Sequence, residues 1–370
     1  MLLLRIVLYV GEEMKIIQIM PEFGLGGAEI MCENLTYGLK KSGHTVIVVS
    51  LFDYHSPITK RMEQNNIDIR YMNKRSGLDL SMIFRLIKLF RKEKPDVIHT
   101  HRHVLQYAVP AAILAGIKKK IHTIHNVASK ENNRLGRIFN KISFRICGVI
   151  PVALSSIVRD TIIEEYGIDG FKVPIIFNGI DLNNCKEKND YETDGEFKIL
   201  HIGRFVEAKN HIVLIEAFSK FHEKYNKSSL YLIGDGENRK AVEDYIKENG
   251  LQEQVHLLGQ LDNVYEYLYK ADIFTLPSLY EGMPMTLIEA MGTGLPIVAT
   301  RVGGIPDMLD DSCAMLVESS ADAICDGFEK YYCSKDLRTT HGKAVLQKVN
   351  MFSLEVMTEK YLNEYSRKRS

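Results

Sequence analysis

The stretch Ile273-Phe274-Thr275-Leu276-Pro277-Ser278-Leu279-Tyr280-Glu281-Gly282-Met283-Pro284-Met285-Thr286-Leu287-Ile288-Glu289-Ala290-Met291-Gly292-Thr293-Gly294-Leu295-Pro296-Ile297-Val298-Ala299-Thr300 reads as strand, turn, short helix, turn, strand. An apolar run closed by Pro277 is the pattern of a buried parallel strand. Pro284 suits a first helical position, and Gly292 and Gly294 suit the helix end. Helical side chains lean toward their own N-terminus, so Glu289 returns toward the crevice that Glu281 overlooks. Open amides at Met285 and Thr286 face the same space. Two carboxylates beside a helix N-terminus suit a ligand with hydroxyls to grip and a phosphate to cradle. Two glutamates eight apart also occur on solvated helix faces. Against that stands the apolar company of Glu289, among which an unpaired carboxylate is costly to bury.

Outward from this stretch, strands and helices alternate along the chain. Strands are expected at 15–20, 45–51, 67–71, 97–100, 121–125, 149–153 and 173–176, with helices at 27–42, 80–93, 104–115, 134–147 and 155–166. A polar segment follows Asn178-Gly179-Ile180-Asp181. The pattern then restarts, with strands at 197–202, 229–233, 255–258, 272–276, 296–300 and 314–317 and helices near 210–224, 237–249, 263–270, 284–291 and 320–332. Strict alternation implies parallel sheets covered on both faces. The expected organisation is an α/β fold of two facing, doubly wound Rossmann-like domains, 14–185 and 197–350, with a linker at 186–196. An amphipathic segment at 351–370 is expected to return to the first domain. Ligands of such sheets bind beyond the carboxyl ends of the strands, here in the cleft between the domains.

Composition is that of a globular protein with full cores. The six cysteines are scattered without a C-x-x-C pair, which favours free thiols in a reducing compartment. Apolar runs fall short of the ~20 residues that span a bilayer, and residues 1–13 read as an extension ahead of a natural start at Met14. A cytoplasmic protein is expected. Net charge is zero, but residues 1–190 hold 27 Lys and Arg against 19 Asp and Glu, and the rest the reverse imbalance. Lys118 to Arg145 contains eight basic residues and one acid, Glu131, with Ile138, Phe139, Ile142, Phe144 and Ile146 interleaved. Such a segment reads either as a solvated face or as a contact with an anionic membrane, here its inner face. No nucleic-acid motif accompanies it.

The loops after strands carry the candidate chemistry. Gly24-Leu25-Gly26-Gly27-Ala28-Glu29 lets backbone amides approach phosphate. It resembles a dinucleotide fingerprint, with Asp53 as ribose acceptor, but Glu29 occupies the third glycine's place. His99, His101 and His103 raise zinc, although no cysteine or carboxylate completes a site, and His125 is placed to bond a sugar hydroxyl. Arg204 and Lys209, in Gly203-Arg204-Phe205-Val206-Glu207-Ala208-Lys209-Asn210, converge on one anion and stabilise the charge of a leaving diphosphate. No Asp-x-Asp is present, so these cations stand where many sugar transferases use a metal; no metal and no cofactor are expected.

Together these pieces resemble the retaining glycosyltransferases of family 4, which have the GT-B fold, of the bacterial polysaccharide and exopolysaccharide type. The likeness runs from Met14 and is strongest at Gly203–Asn210 and Glu281–Thr300. It implies transfer of a hexose from a UDP- or GDP-sugar to a hydroxyl of a lipid-linked or growing glycan, with retention and without an agreed protein nucleophile; a front-face route is commonly proposed. By that resemblance, Glu281 holds the donor sugar near its anomeric carbon and Glu289 the ribose diol. The Met285 and Thr286 amides lie near phosphate or sugar. Arg204 and Lys209 hold the diphosphate with Gly26 and Gly27 across the cleft, His125 touches the transferred sugar, and Leu261 belongs to the base-binding loop. Competing readings are a sugar-nucleotide epimerase of the same fold, an NAD-dependent oxidoreductase and a non-catalytic subunit.

Overall fold

The computed structural model describes residues 12–261 and 263–367; the extension read at 1–13 lies almost wholly outside them. The chain forms two compact units. One holds the residues up to Gly179 and those from Leu354 onward, the other Ile180–Ser353.

The first unit is a six-stranded parallel sheet: β1 (Lys15–Met20), β2 (Thr45–Ser50), β3 (Asp68–Tyr71), β4 (Val97–His101), β5 (Lys119–Ile124) and β6 (Ile150–Ala153), in the order β3-β2-β1-β4-β5-β6. The second repeats it with β7 (Phe197–Ile202), β8 (Ser228–Ile233), β9 (Val255–Gly259), β10 (Ile273–Leu276), β11 (Ile297–Thr300) and β12 (Met315–Val317), in the order β12-β11-β10-β7-β8-β9. Each order reverses beside its first strand, between β1 and β4 and between β7 and β10, which are the switch points where such sheets bind ligands. β1, β4, β7 and β10 are almost fully buried, so apolar runs rather than alternation mark them.

Some expectations need correction. Residues 173–176 form no strand. Only a bridge from Ala153 to Ile175 joins them to the sheet, and Pro174 removes a donor where a ladder would need one. Besides the four-residue turns Ala128–Glu131 and Ile305–Met308, two longer helices escaped the sequence reading, Pro57–Gln64 and Lys335–Lys348. The second buries Arg338 and His341 instead of an apolar stripe. The Arg338 guanidinium donates to the carbonyls of Tyr191 and Tyr331, and His341 Nδ1 meets Tyr331 OH at 2.7 Å. The compact units divide after Gly179. The segment read as a linker lies within the second unit: Lys188 Nζ donates to Ala271 O at 2.7 Å and Tyr191 OH to Gly294 O at 3.0 Å. Helix Leu354–Ser366 belongs to the first unit. There Tyr361 OH meets Thr123 Oγ1 at 2.8 Å and Tyr365 OH meets His99 Nδ1 at 2.7 Å. Lys118 to Arg145 is three elements: the strand β5, a short helix Ala128–Glu131 and a helix Arg134–Arg145.

Candidate functional site

In the second unit, the loops after β7 and β10 meet through a backbone bond from Leu279 N to Ala208 O at 2.8 Å. Asn210 turns the first loop into its helix in the left-handed region, φ +55°, which asparagine tolerates. Its amide holds the second loop through Pro277 O at 3.3 Å and also reaches Ser319 Oγ. This frame brings Lys209 Nζ to 2.5 Å from Glu281 Oε1, both side chains being largely shielded from solvent. Ser278 Oγ donates to the same oxygen at 2.6 Å, leaving Glu281 Oε2 outside these bonds.

Glu281 is also pinned through its backbone. Gly304 N donates to Glu281 O at 3.2 Å, and Gly303, at φ +56°, passes so close that a Cβ there would sit 1.9 Å from that oxygen. Neither Ser278 nor Gly303-Gly304 was singled out from sequence. The signal was present, as paired glycines directly after a strand mark a close backbone approach.

Arg204 is exposed, and no carboxylate pairs with it among the described residues. Gly203 is required at its position because a Cβ would stand 2.7 Å from His201 Nε2 and 3.3 Å from the Lys209 stem. Burial lowers the His201 imidazole to about 4, so it is neutral, with Nδ1 on Thr275 O at 2.9 Å. His201 Nε2, Thr275 Oγ1 and Thr286 Oγ1 are buried without a protein partner among the described residues.

Glu289 lies in helix Met285–Thr293, whose N-cap is Pro284 rather than a helical position, and no side chain caps it. The Met285 and Thr286 amides are thus left open at its start. Burial alone pushes the Glu289 carboxyl up to about 7. Leu261 follows β9, half-buried; Asp262 beside it lies outside the described residues.

In the first unit, Gly26 is the N-cap of helix Gly27–Lys41. Glu29 folds back over it, its Oε2 2.5 Å from where a Gly26 Cβ would be, and its Oε1 accepts from Arg102 Nη1 at 2.5 Å. The side chain in the third glycine's place is thus buried in an ion pair with a residue that sequence reading passed over. Asp53 pairs instead with exposed His55 at 3.2 Å. His125 Nε2 meets His101 Nδ1 at 3.1 Å, and His101 Nε2 meets Gln18 Oε1 at 3.2 Å. His99 is held by Tyr365 and Thr123, and His122 by Thr100. Burial lowers all four, His122 and His125 to about 3. These imidazoles are neutral hydrogen-bonding groups with protein partners, and His103 is exposed. Among the described residues no group of three His, Cys, Asp or Glu is arranged to hold a metal.

Two family profiles tile the chain: Glycosyltransferase Family 4 over residues 25–184 and Glycosyl transferases group 1 over 185–347. The chain is a family-4-like glycosyltransferase by lineage. Similar proteins include the UDP-Gal:alpha-D-GlcNAc-diphosphoundecaprenol alpha-1,3-galactosyltransferase of Escherichia coli, 30% identical over 61% of this chain. Another is N-acetyl-alpha-D-glucosaminyl L-malate synthase of Bacillus anthracis, 28% identical over 62%. Each match spans 63% of the relative's own length. Among solved structures, Anabaena HepE in complex with UDP and glucose shares the fold, with a TM-score of 0.84 at 17% identity over 96% of this chain and 100% of that one. This family-4-like lineage does not favour the epimerase or NAD readings.

Proposed function

We propose that this protein transfers a hexose from a nucleoside diphosphate sugar to a hydroxyl of a lipid-linked or growing glycan, with retention of configuration and without a metal. The observation that carries the reading is the Lys209–Glu281 pair at the β7/β10 switch point, in a unit that also holds the exposed Arg204 and the half-buried Glu289 carboxyl, raised by desolvation. The Escherichia coli relative takes UDP-Gal and a diphosphoundecaprenol-linked GlcNAc by its name, and HepE holds UDP and glucose, which supports this donor and acceptor class.

In this scheme the diphosphate takes Lys209 away from Glu281 and adds Arg204, and the freed Glu281 carboxylate accepts the hydroxyls of the sugar. As the bond from the anomeric carbon to the diphosphate oxygen breaks, both cations meet the charge that develops there. The acceptor oxygen bonds to the same carbon from the side of the departing diphosphate, which receives the acceptor's proton. Glu289 accepts from the ribose diol. The Met285 and Thr286 amides face the donor, Leu261 lies by its base, and no protein nucleophile is required.

The test is a panel of UDP- and GDP-sugars scored for thermal stabilisation and slow hydrolysis, repeated with Lys209→Ala and Glu281→Ala. Both variants are expected to fold and to lose turnover. Wild-type rates in both would sink the reading.

A further inference from the structure

Helix Arg134–Arg145 is packed inside out. Its buried residues are Asn140, Ser143 and Phe144, while Leu135, Ile138, Phe139, Ile142 and the C-cap Ile146 are 70%, 50%, 48%, 43% and 78% exposed. The five recur at i, i+3, i+4, i+7 and i+11, so they make one continuous apolar stripe on the solvent side. Rolling the helix to hide the stripe would break specific bonds on its inner side. Asn140 Nδ2 donates to Tyr166 OH at 3.2 Å, and Arg137 pairs with Glu165 at 3.4 Å. Asn133 caps the start through the Gly136 amide at 2.9 Å.

The charges are arranged to match. Arg134, Lys141 and Arg145 recur at i, i+7 and i+11 and form a row along one flank of the stripe. All three are exposed, and none pairs with a carboxylate among the described residues. The helix contains four basic residues and no acidic one. We infer that this face docks on an anionic phospholipid surface, the stripe entering the boundary between headgroups and acyl chains and the basic row lying among the phosphates. The inference goes beyond the proposed transfer reaction and does not depend on it. A second copy of the chain fits the face less well, since an isologous contact would set this uncompensated positive row against itself. Among the described residues no helix is long and apolar enough to cross a membrane, so the contact is with the surface.

The experiment is co-sedimentation of the full chain with vesicles of phosphatidylcholine alone and of an equimolar mixture with phosphatidylglycerol. Binding is expected to the anionic vesicles only and to weaken with salt. Each neutralised cation should lower the partition coefficient about fivefold, so Lys141→Gln with Arg145→Gln should lose roughly 25-fold. Ile138→Ser with Ile142→Ser should lose at least tenfold. Both double variants change exposed residues, and an unchanged thermal midpoint verifies their fold. The inference is overturned if the wild type ignores anionic vesicles at low salt, if either variant binds as well as wild type, or if light scattering shows a homodimer that Ile138→Ser dissolves.

Discussion

In the first unit the helix after β1 presents Glu29, and Arg102 after β4 answers it; in the second the loop after β7 presents Lys209, and Glu281 after β10 answers. The two sheets have the same strand order, so the same geometry joins each pair, with the charges exchanged. The surroundings differ as well. Glu29 closes over Gly26 and is itself almost fully buried, and nearby Gln18, His101 and His125 bond one another in a chain. In the second unit His201 Nε2, Thr275 Oγ1 and Thr286 Oγ1 are buried without a partner among the described residues, and the half-buried Glu289 carboxyl is pushed up by desolvation. The first unit has open buried atoms too, His44 Nε2, His122 Nε2 and Glu131 Oε1 among them, so both copies of the fold leave some polar atoms unanswered. Open buried groups are costly unless a ligand completes them.

The sharpest way to break this contrast is to remove the two pairs in turn. Lys209→Ala should lower donor turnover by about 10²–10³-fold with the fold retained, the loss typical of a preorganised charge in a site. Arg102→Ala should instead act on stability, lowering the unfolding free energy by about 2 kcal/mol because the buried Glu29 carboxylate loses its partner. Urea unfolding of both variants reads this directly, and equal activity losses would erase the distinction.

Acid should separate the units next. His99, His101, His122 and His125 stay neutral when folded but take up protons when unfolded, near the ordinary value of ~6.5. Their folded values lie lower, so their contribution is full above that pH and fades as pH falls toward about 3. The second unit has three such groups, His201 and His211, lowered to about 4 and about 2, and His341, also lowered by burial. Amide exchange at pH 7 and pH 5 should therefore show protection falling further around β4 and β5 than around β7 and β10.

The smallest effect concerns Glu289, whose value is raised. Its neutral form is favoured by folding, so stability associated with it is present at pH 4 and is lost as pH rises through about 7. Glu289→Gln should gain on the order of 1–2 kcal/mol at pH 8 and little at pH 5. Donor affinity in the wild type should rise over the same interval, as ribose hydroxyls donate to the ionised form. Calorimetry in two buffers of different ionisation enthalpy reads the released proton.

Much of this was legible in the sequence, because buried parallel strands advertise themselves as apolar runs and the loops that follow them carry the chemistry. Glu281, Glu289, Arg204 and Lys209 were found that way. The partners were not. Ser278, Gly303 and Arg102 act on residues 3, 22 and 73 positions away. Only the last needs the sheet order to be known, while Gly303 announced itself as a glycine pair whose meaning depends on the backbone it approaches. Helix Lys335–Lys348 was missed because its inner face is built from Arg338 and His341, which periodicity reads as surface. The helix Arg134–Arg145 was legible as a basic amphipathic segment, and all of its interleaved apolar residues except Phe144 lie outside.

The chain leaves the first unit at Gly179 and returns at Leu354, and the returning helix supplies Tyr361 and Tyr365 to Thr123 and His99. At ~5–20 residues per second, a ribosome needs roughly ten to forty seconds to make the intervening stretch. During that interval the nascent first unit carries a solvent-facing patch of polar sheet residues awaiting their last helix, while the second unit is being synthesised in one uninterrupted run. The part made first is therefore the part completed last.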